Sequence, residues 1–132
     1  MAQVPDAVAA DFVRRFSEFW SSPLPERLHM VLSPNVVLVS PMTQPTTTLE
    51  DAKTGWANLL ARIPDLANEV HRWGASDDGV FIEFTLSGTV GDERVSWQVV
   101  DRFILGADGL ATERVAYYDP TPVLAAFARA QK

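Results

Sequence analysis

An α+β fold, with one curved sheet and helices packed against one of its faces, is what the order of segments predicts. Three observations carry that prediction. Apolar residues recur at helical spacing through the first half of the chain, as far as Pro64. Beyond Pro64 the period changes from that of a helix to that of a strand. The turn sequences Asp77-Asp78-Gly79, Gly91-Asp92 and Gly106-Ala107-Asp108-Gly109 then separate the alternating segments, as antiparallel hairpins require. At 132 residues, 47% of them apolar, the chain has the size of a single domain, residues 1–132, and can build its own core.

The first helix is read from Val8, Phe12, Phe16, Phe19 and Trp20. They form one apolar stripe, with Asp11, Arg14, Arg15 and Glu18 off it. Ser22-Pro23-Leu24-Pro25 ends that helix, and a short second one carries Leu28, Val31 and Leu32. A brief strand follows over residues 36–40, whose β-branched content suits a sheet. Residues 41–48, rich in Pro and Thr, read as a loop. Thr47 and Glu50 have the spacing of a capping box. Ala52, Trp56, Leu59, Leu60 and Ile63 then make the stripe of the next helix, which stops before Pro64.

In the second half, Val80, Ile82, Phe84 and Leu86 alternate with Phe81, Glu83, Thr85 and Ser87. A two-residue turn at Gly91-Asp92 sets Leu86 opposite Trp97, Phe84 opposite Val99, Ile82 opposite Asp101 and Val80 opposite Phe103. One face is then apolar and the other mostly polar, as a sheet with one wet side requires. A turn at Asp77-Asp78 sets Trp73 beside Ile82 and His71 beside Phe84 on the apolar face. The last hairpin has two readings. Closure at Leu105 and Leu110 places Asp101 opposite Arg114, whereas a tighter turn places Ala116 there. The last strand covers residues 110–118, and beyond Pro120 and Pro122 a C-terminal helix carries Val123, Leu124 and Phe127.

Several function classes are excluded. Eleven Lys and Arg against seventeen Asp and Glu give a formal charge of −6, with no basic stripe for nucleic acid. No run approaches the roughly 20 apolar residues of a membrane span. There is no cysteine, so disulfides and thiolate chemistry are absent. His29 and His71 lie far apart with no carboxylate cluster at ligand spacing, so no metal site is expected. The lack of a Gly-rich phosphate loop or dinucleotide fingerprint points to no cofactor. Met1 to Asp11 lacks the charged start and apolar core of a signal peptide, which makes the cytoplasm the expected compartment.

The order of elements, together with Leu86-Ser-Gly-Thr-Val-Gly91, the segment from Asp101 through Gly109-Leu110, and Tyr117-Tyr118-Asp119, resembles the SnoaL-like branch of the nuclear-transport-factor-2-like superfamily. The resemblance covers roughly residues 8–128. It implies a cone-shaped, cystatin-like, curved mixed or antiparallel sheet with N-terminal helices on its concave face, a deep apolar pocket, and homodimerisation through the sheet. It does not settle the reaction, because polyketide cyclases, steroid isomerases, epoxide hydrolases, dehydratases and non-catalytic proteins share this fold. Ketosteroid isomerases use a base Asp, a Tyr donor and a protonated Asp donor. Asp101 falls at the protonated donor, but the base falls on Ser40 and the tyrosine on Phe16. The Asp–Arg–Asp set of limonene-epoxide hydrolase-like enzymes falls on Phe84, Leu86 and Ala116. Neither set is complete. The pocket carboxylate of polyketide cyclases can be supplied by Asp101.

Asp101 is therefore the leading candidate for catalysis. On an apolar face its carboxyl resists ionisation, and a protonated carboxyl donates a hydrogen bond or acts as a general acid. The competing reading is a structural ion pair with Arg114. That pair, inside a pocket, can also bind a polar substituent of a ligand. His71 is a second candidate, as a proton shuttle on the same face. Tyr118 shares the parity of Arg114 and can orient a ligand through its hydroxyl. Trp20, Trp56, Trp73 and Trp97 imply an aromatic interior in which Trp56 and Trp97, with Phe16 and Phe84, wall the ligand. His29 reads as a surface residue, Asp119 as an organiser of the last helix's first turn, and Ser40 as a serine without a triad partner. The expected function is binding of a small, largely apolar organic ligand. It is accompanied by cofactor-free proton transfer of the cyclase, isomerase or dehydratase type, or by no catalysis in an interaction module of the same fold.

Overall fold

The computed structural model describes residues 5–131. The expected start lacking a signal sequence therefore lies partly outside the described residues. Helix α1 spans Asp6–Ser21 and is followed by a 3₁₀ helix, Pro25–Met30. Strands β1 (Leu32–Ser40) and β2 (Thr43–Thr46) precede helix α2 (Leu49–Arg62). The long strands β3 (Ala67–Ala75), β4 (Gly79–Val90), β5 (Glu93–Leu105) and β6 (Ala111–Tyr117) lead to helix α3 (Thr121–Ala130). All six strands form one sheet in the order β2-β1-β6-β5-β4-β3. The β1–β6 pairing is parallel and the others are antiparallel, so the sheet is mixed.

Helix α1 buries Ala9, Phe12, Val13, Phe16 and Phe19, the stripe that helical periodicity defines. Its aromatic rings interlock with those of the sheet. Phe12 and Phe103 are 4.7 Å apart, Phe16 and Phe84 5.5 Å, and Phe16 and Phe103 5.8 Å, all tilted or edge-on. Arg15 fixes the helix from the other side. Its Nη1 donates to the Met30 carbonyl at 2.7 Å and its Nη2 to the Gly109 carbonyl at 2.8 Å, while Nε meets Asp11. One guanidinium thus ties α1 to the 3₁₀ helix and to the β5–β6 turn. Gly109, at φ +80°, adopts the left-handed conformation that this turn requires.

The β4–β5 hairpin forms in the expected register, from Val90 opposite Glu93 to Val80 opposite Phe103, with Ile82 opposite Asp101. Other expectations need correction. Residues 41–48 are not wholly loop, because β2 pairs with β1 there, at the sheet edge where Pro45 is tolerated. The cap of α2 is Thr48, whose hydroxyl accepts from the Asp51 amide at 3.1 Å, one residue later than the Thr47–Glu50 spacing suggests. Of the two readings of the last hairpin, the structure takes the one that sets Asp101 opposite Ala116, and Arg114 then faces Phe103. Arg114 therefore stands diagonal to Asp101 on the same face, and the ladder shifts by one residue only beyond it, between Ile104 and Leu105. Trp73 does sit opposite Ile82, but on the edge strand it is 41% exposed and not part of the interior. Among the described residues, no helix is long and apolar enough to cross a membrane.

Candidate functional site

The concave face of the sheet is built from alternate residues of β3 to β6, and α1 lies over its aromatic centre. Ile82, Val99, Phe103 and Ala116 surround Asp101 by register. Asp101 is the one buried charged residue of the described core, at 4% exposure. Its Oδ1 is buried with no hydrogen-bond partner. Burial pushes its pKa up to about 6, and the positive charge of Arg114 restrains the rise. Arg114 acts on Asp101 through space without satisfying Oδ1, and its own Nε is also buried and unpartnered.

Tyr118 joins this group. Burial raises its phenol above the ordinary range, and the Ser40 hydroxyl and Arg114 oppose that rise. Ser40 comes to the site through the parallel pairing of β1 with β6, which sets Leu38 opposite Arg114 two residues before it. Its Oγ also accepts from the Met42 amide at 3.2 Å. Ser40 still has no triad partner, but the β1–β6 pairing puts it beside Tyr118, which the local sequence does not show. Asn68, unremarkable in the sequence, belongs to the same face. It stands opposite Leu86, which stands opposite Trp97, and both its amide atoms and the Trp97 Nε1 are buried without partners.

His71 does not join Asp101. A bulge between Val70 and Arg72 makes Val70, not His71, the partner of Phe84. The extra residue turns His71 to the outer face, where its Nε2 lies 2.7 Å from the Thr85 hydroxyl and its Nδ1 3.6 Å from Glu69. Trp56 is held on the helical side. Its Nε1 donates to the Pro23 carbonyl at 2.7 Å, and it packs edge-on against Trp20 at 5.2 Å and beside Phe19. Phe16, Phe84 and Trp97 are buried on or against the concave face. Asp119 accepts from the Thr121 amide at 3.0 Å at the first turn of α3, and His29 bonds the Glu26 carbonyl within its own 3₁₀ helix. Two open clefts, of about 400 and 440 Å³, lie away from Asp101 along β5 and α3, with Ser96, Asp119 and Pro122 common to both. Among the described residues, no cluster of three or more metal-ligating side chains forms.

Comparison with known proteins bears on this site. The SnoaL-like domain profile matches residues 13–114. Curated protein sequences give no match. Among solved structures, a protein assigned as a SnoaL-like polyketide cyclase from Jannaschia sp. superposes with a TM-score of 0.79 at 18% identity, covering 96% of this chain and 98% of that one. An LEH-like epoxide hydrolase from M. tuberculosis gives 0.74 at 20% identity over 96% and 95% of the two chains. A protein with a ketosteroid isomerase-like fold from Catenulispora acidiphila, in complex with trimethylamine, gives 0.78 at 18% identity over 89% and 92%. At these identities the likeness is one of fold.

Proposed function

The chain belongs to the SnoaL-like domain family, and from that premise we propose that its concave face is a small-molecule site at which Asp101 exchanges a proton with, or hydrogen-bonds, a largely apolar carbonyl compound. The observation that carries this reading is the buried, unpartnered Oδ1 of Asp101. An unsatisfied buried carboxyl costs stability, and an apolar residue of similar size would avoid that cost. A pKa of about 6 keeps both protonation forms accessible near neutral pH, which suits one group to give and take a proton. Arg114 and Tyr118 then orient the polar end of the ligand, and Phe16, Phe84 and Trp97 wall its apolar body. The reaction class is proton transfer: cyclisation, isomerisation or dehydration. Phe84, Leu86 and Ala116 cannot supply an epoxide hydrolase's ionic set.

A second reading has its own support. Phe12 and Phe16 of α1 fill the concave face against Phe84 and Phe103, which favours a non-catalytic interaction module whose interior serves as core. On the outer face, Phe81 and Tyr117 are 41% and 54% exposed, which supports a homodimer through the sheet in either case.

Binding of 2-acetonaphthone, an apolar aromatic ketone, separates the two. If protonated Asp101 donates to the carbonyl, affinity rises as pH falls through about 6, and Asp101→Asn binds with no such pH dependence. Binding that is independent of pH in the wild type overturns the role of Asp101. Absence of binding at any pH favours the interaction module.

A further inference from the structure

Among the described residues, five buried side-chain polar atoms lack hydrogen-bond partners, and all of them project from the concave face. Two belong to Asp101 and Arg114. The other three, Nδ2 and Oδ1 of Asn68 and Nε1 of Trp97, form a separate group on the row Asn68–Leu86–Trp97. This row lies nearer the β4–β5 turn than Asp101. Exchanging Oδ1 and Nδ2 of Asn68 does not alter the finding, because neither atom is bonded.

We propose that Asn68 and Trp97 form a second polar subsite that recognises a hydroxyl group at the far end of the ligand whose carbonyl meets Asp101. This inference rests on the reading of the concave face as a ligand site.

The chemistry selects a hydroxyl. The indole Nε1 can only donate, whereas the Asn68 amide offers both an acceptor and donors. A ligand hydroxyl accepts from the indole and donates to Oδ1, so one oxygen satisfies groups of opposite character. A carbonyl can only accept, which leaves Oδ1 unpaired, and an apolar terminus leaves the whole group orphaned. Between the two subsites the face is apolar: Val99 lies between Trp97 and Asp101 on β5, and Phe84 stands opposite it. Trp97 and Asp101 are four residues apart on one strand, roughly 13 Å between Cα atoms. The ligand class is therefore an elongated, apolar molecule with a carbonyl at one end and a hydroxyl at the other. Asn68 and Leu86 are only half-buried as residues, so this row is not sealed from the surface.

The test uses 6-hydroxy-2-acetonaphthone and 2-acetonaphthone, which differ by the one hydroxyl, together with Asn68→Leu. Wild-type protein should bind the hydroxylated probe about tenfold more tightly, the increment of one well-formed hydrogen-bond set. Asn68→Leu should bind the two probes equally, keep the wild-type affinity for 2-acetonaphthone, and melt no lower than wild type, since an orphaned amide has been removed. Equal affinities of the two probes for wild type overturn the subsite while leaving the ligand reading standing. A melting temperature lowered in Asn68→Leu, with both probes weakened alike, makes Asn68 structural and also overturns it. Failure of both probes to bind wild type overturns both readings together.

Discussion

Asp101 precedes β6 in the chain and Asp119 follows it, and their surroundings push them in opposite directions. Asp119 is exposed and accepts the Thr121 amide, which holds its pKa below the ordinary carboxylate value. Asp101 is enclosed by apolar side chains, and its pKa rises from 3.8 to about 6. The sign of the resulting pH dependence follows from linkage. Between these two values the folded chain holds a proton at Asp101 that the unfolded chain has released. The contribution is fully present below pH 3.8, declines as pH rises, and is lost above about 6. The shift corresponds to about 3 kcal/mol. Asp101→Asn carries no such titration. Its stability relative to wild type should therefore improve by about 2.5 kcal/mol between pH 4 and pH 8, read from urea unfolding at each pH. A constant difference across that range contradicts the raised pKa.

Among the elements, α1 has the most to do with the site, since it carries Phe12 and Phe16 onto the concave face. Packing of its stripe gives the direction of the helix, and Arg15 gives its position. The part-buried carbonyls of Met30 and Gly109 both accept from the Arg15 guanidinium. Arg15→Ala should lose about 2–3 kcal/mol in urea unfolding, because hydrogen bonds from a charged donor are stronger than neutral ones and two acceptors are orphaned. Arg14, on the neighbouring exposed side, pairs among the described residues with Asp11 and Glu18 on its own helix, and Arg14→Ala should change stability by well under about 1 kcal/mol. The stripe that buries Phe12 and Phe16 is legible in the sequence. The distinction between Arg14 and Arg15 is not, because it depends on the carbonyls of two segments remote in sequence.

At the scale of the whole molecule, the sheet has two faces with different fates. The inner one is covered by α1 and carries the candidate site. The outer one presents Phe81 opposite Arg102, which is opposite Val115, with Tyr117 beyond them. Arg102 is bonded to Glu113 there at 3.0 Å, so the apolar residues surround a neutralised pair. If this face mediates the proposed homodimer, light scattering at micromolar concentration should give twice the 14.6 kDa chain mass, and Phe81→Glu should give the monomer. A monomeric wild type would remove the dimer from the proposal and leave the inner face unaffected.

The α+β class, the stripe of α1, the β4–β5 register and the presence of Asp101 on the apolar face are all legible in the amino-acid order. Each of these follows from local information. A helical or alternating period defines the buried face, and a two-residue turn leaves the hairpin one register that separates apolar from polar. The assembled sheet alone sets β1 in parallel with β6, which brings Ser40 to Tyr118. It also decides that His71 leaves the apolar face and that Arg114 stands diagonal to Asp101. The physical reason is the same in each case. Non-local strand pairing and one-residue bulges are set by the competition among whole strands for partners. A single inserted residue reverses a side chain's face without leaving any mark in the local pattern.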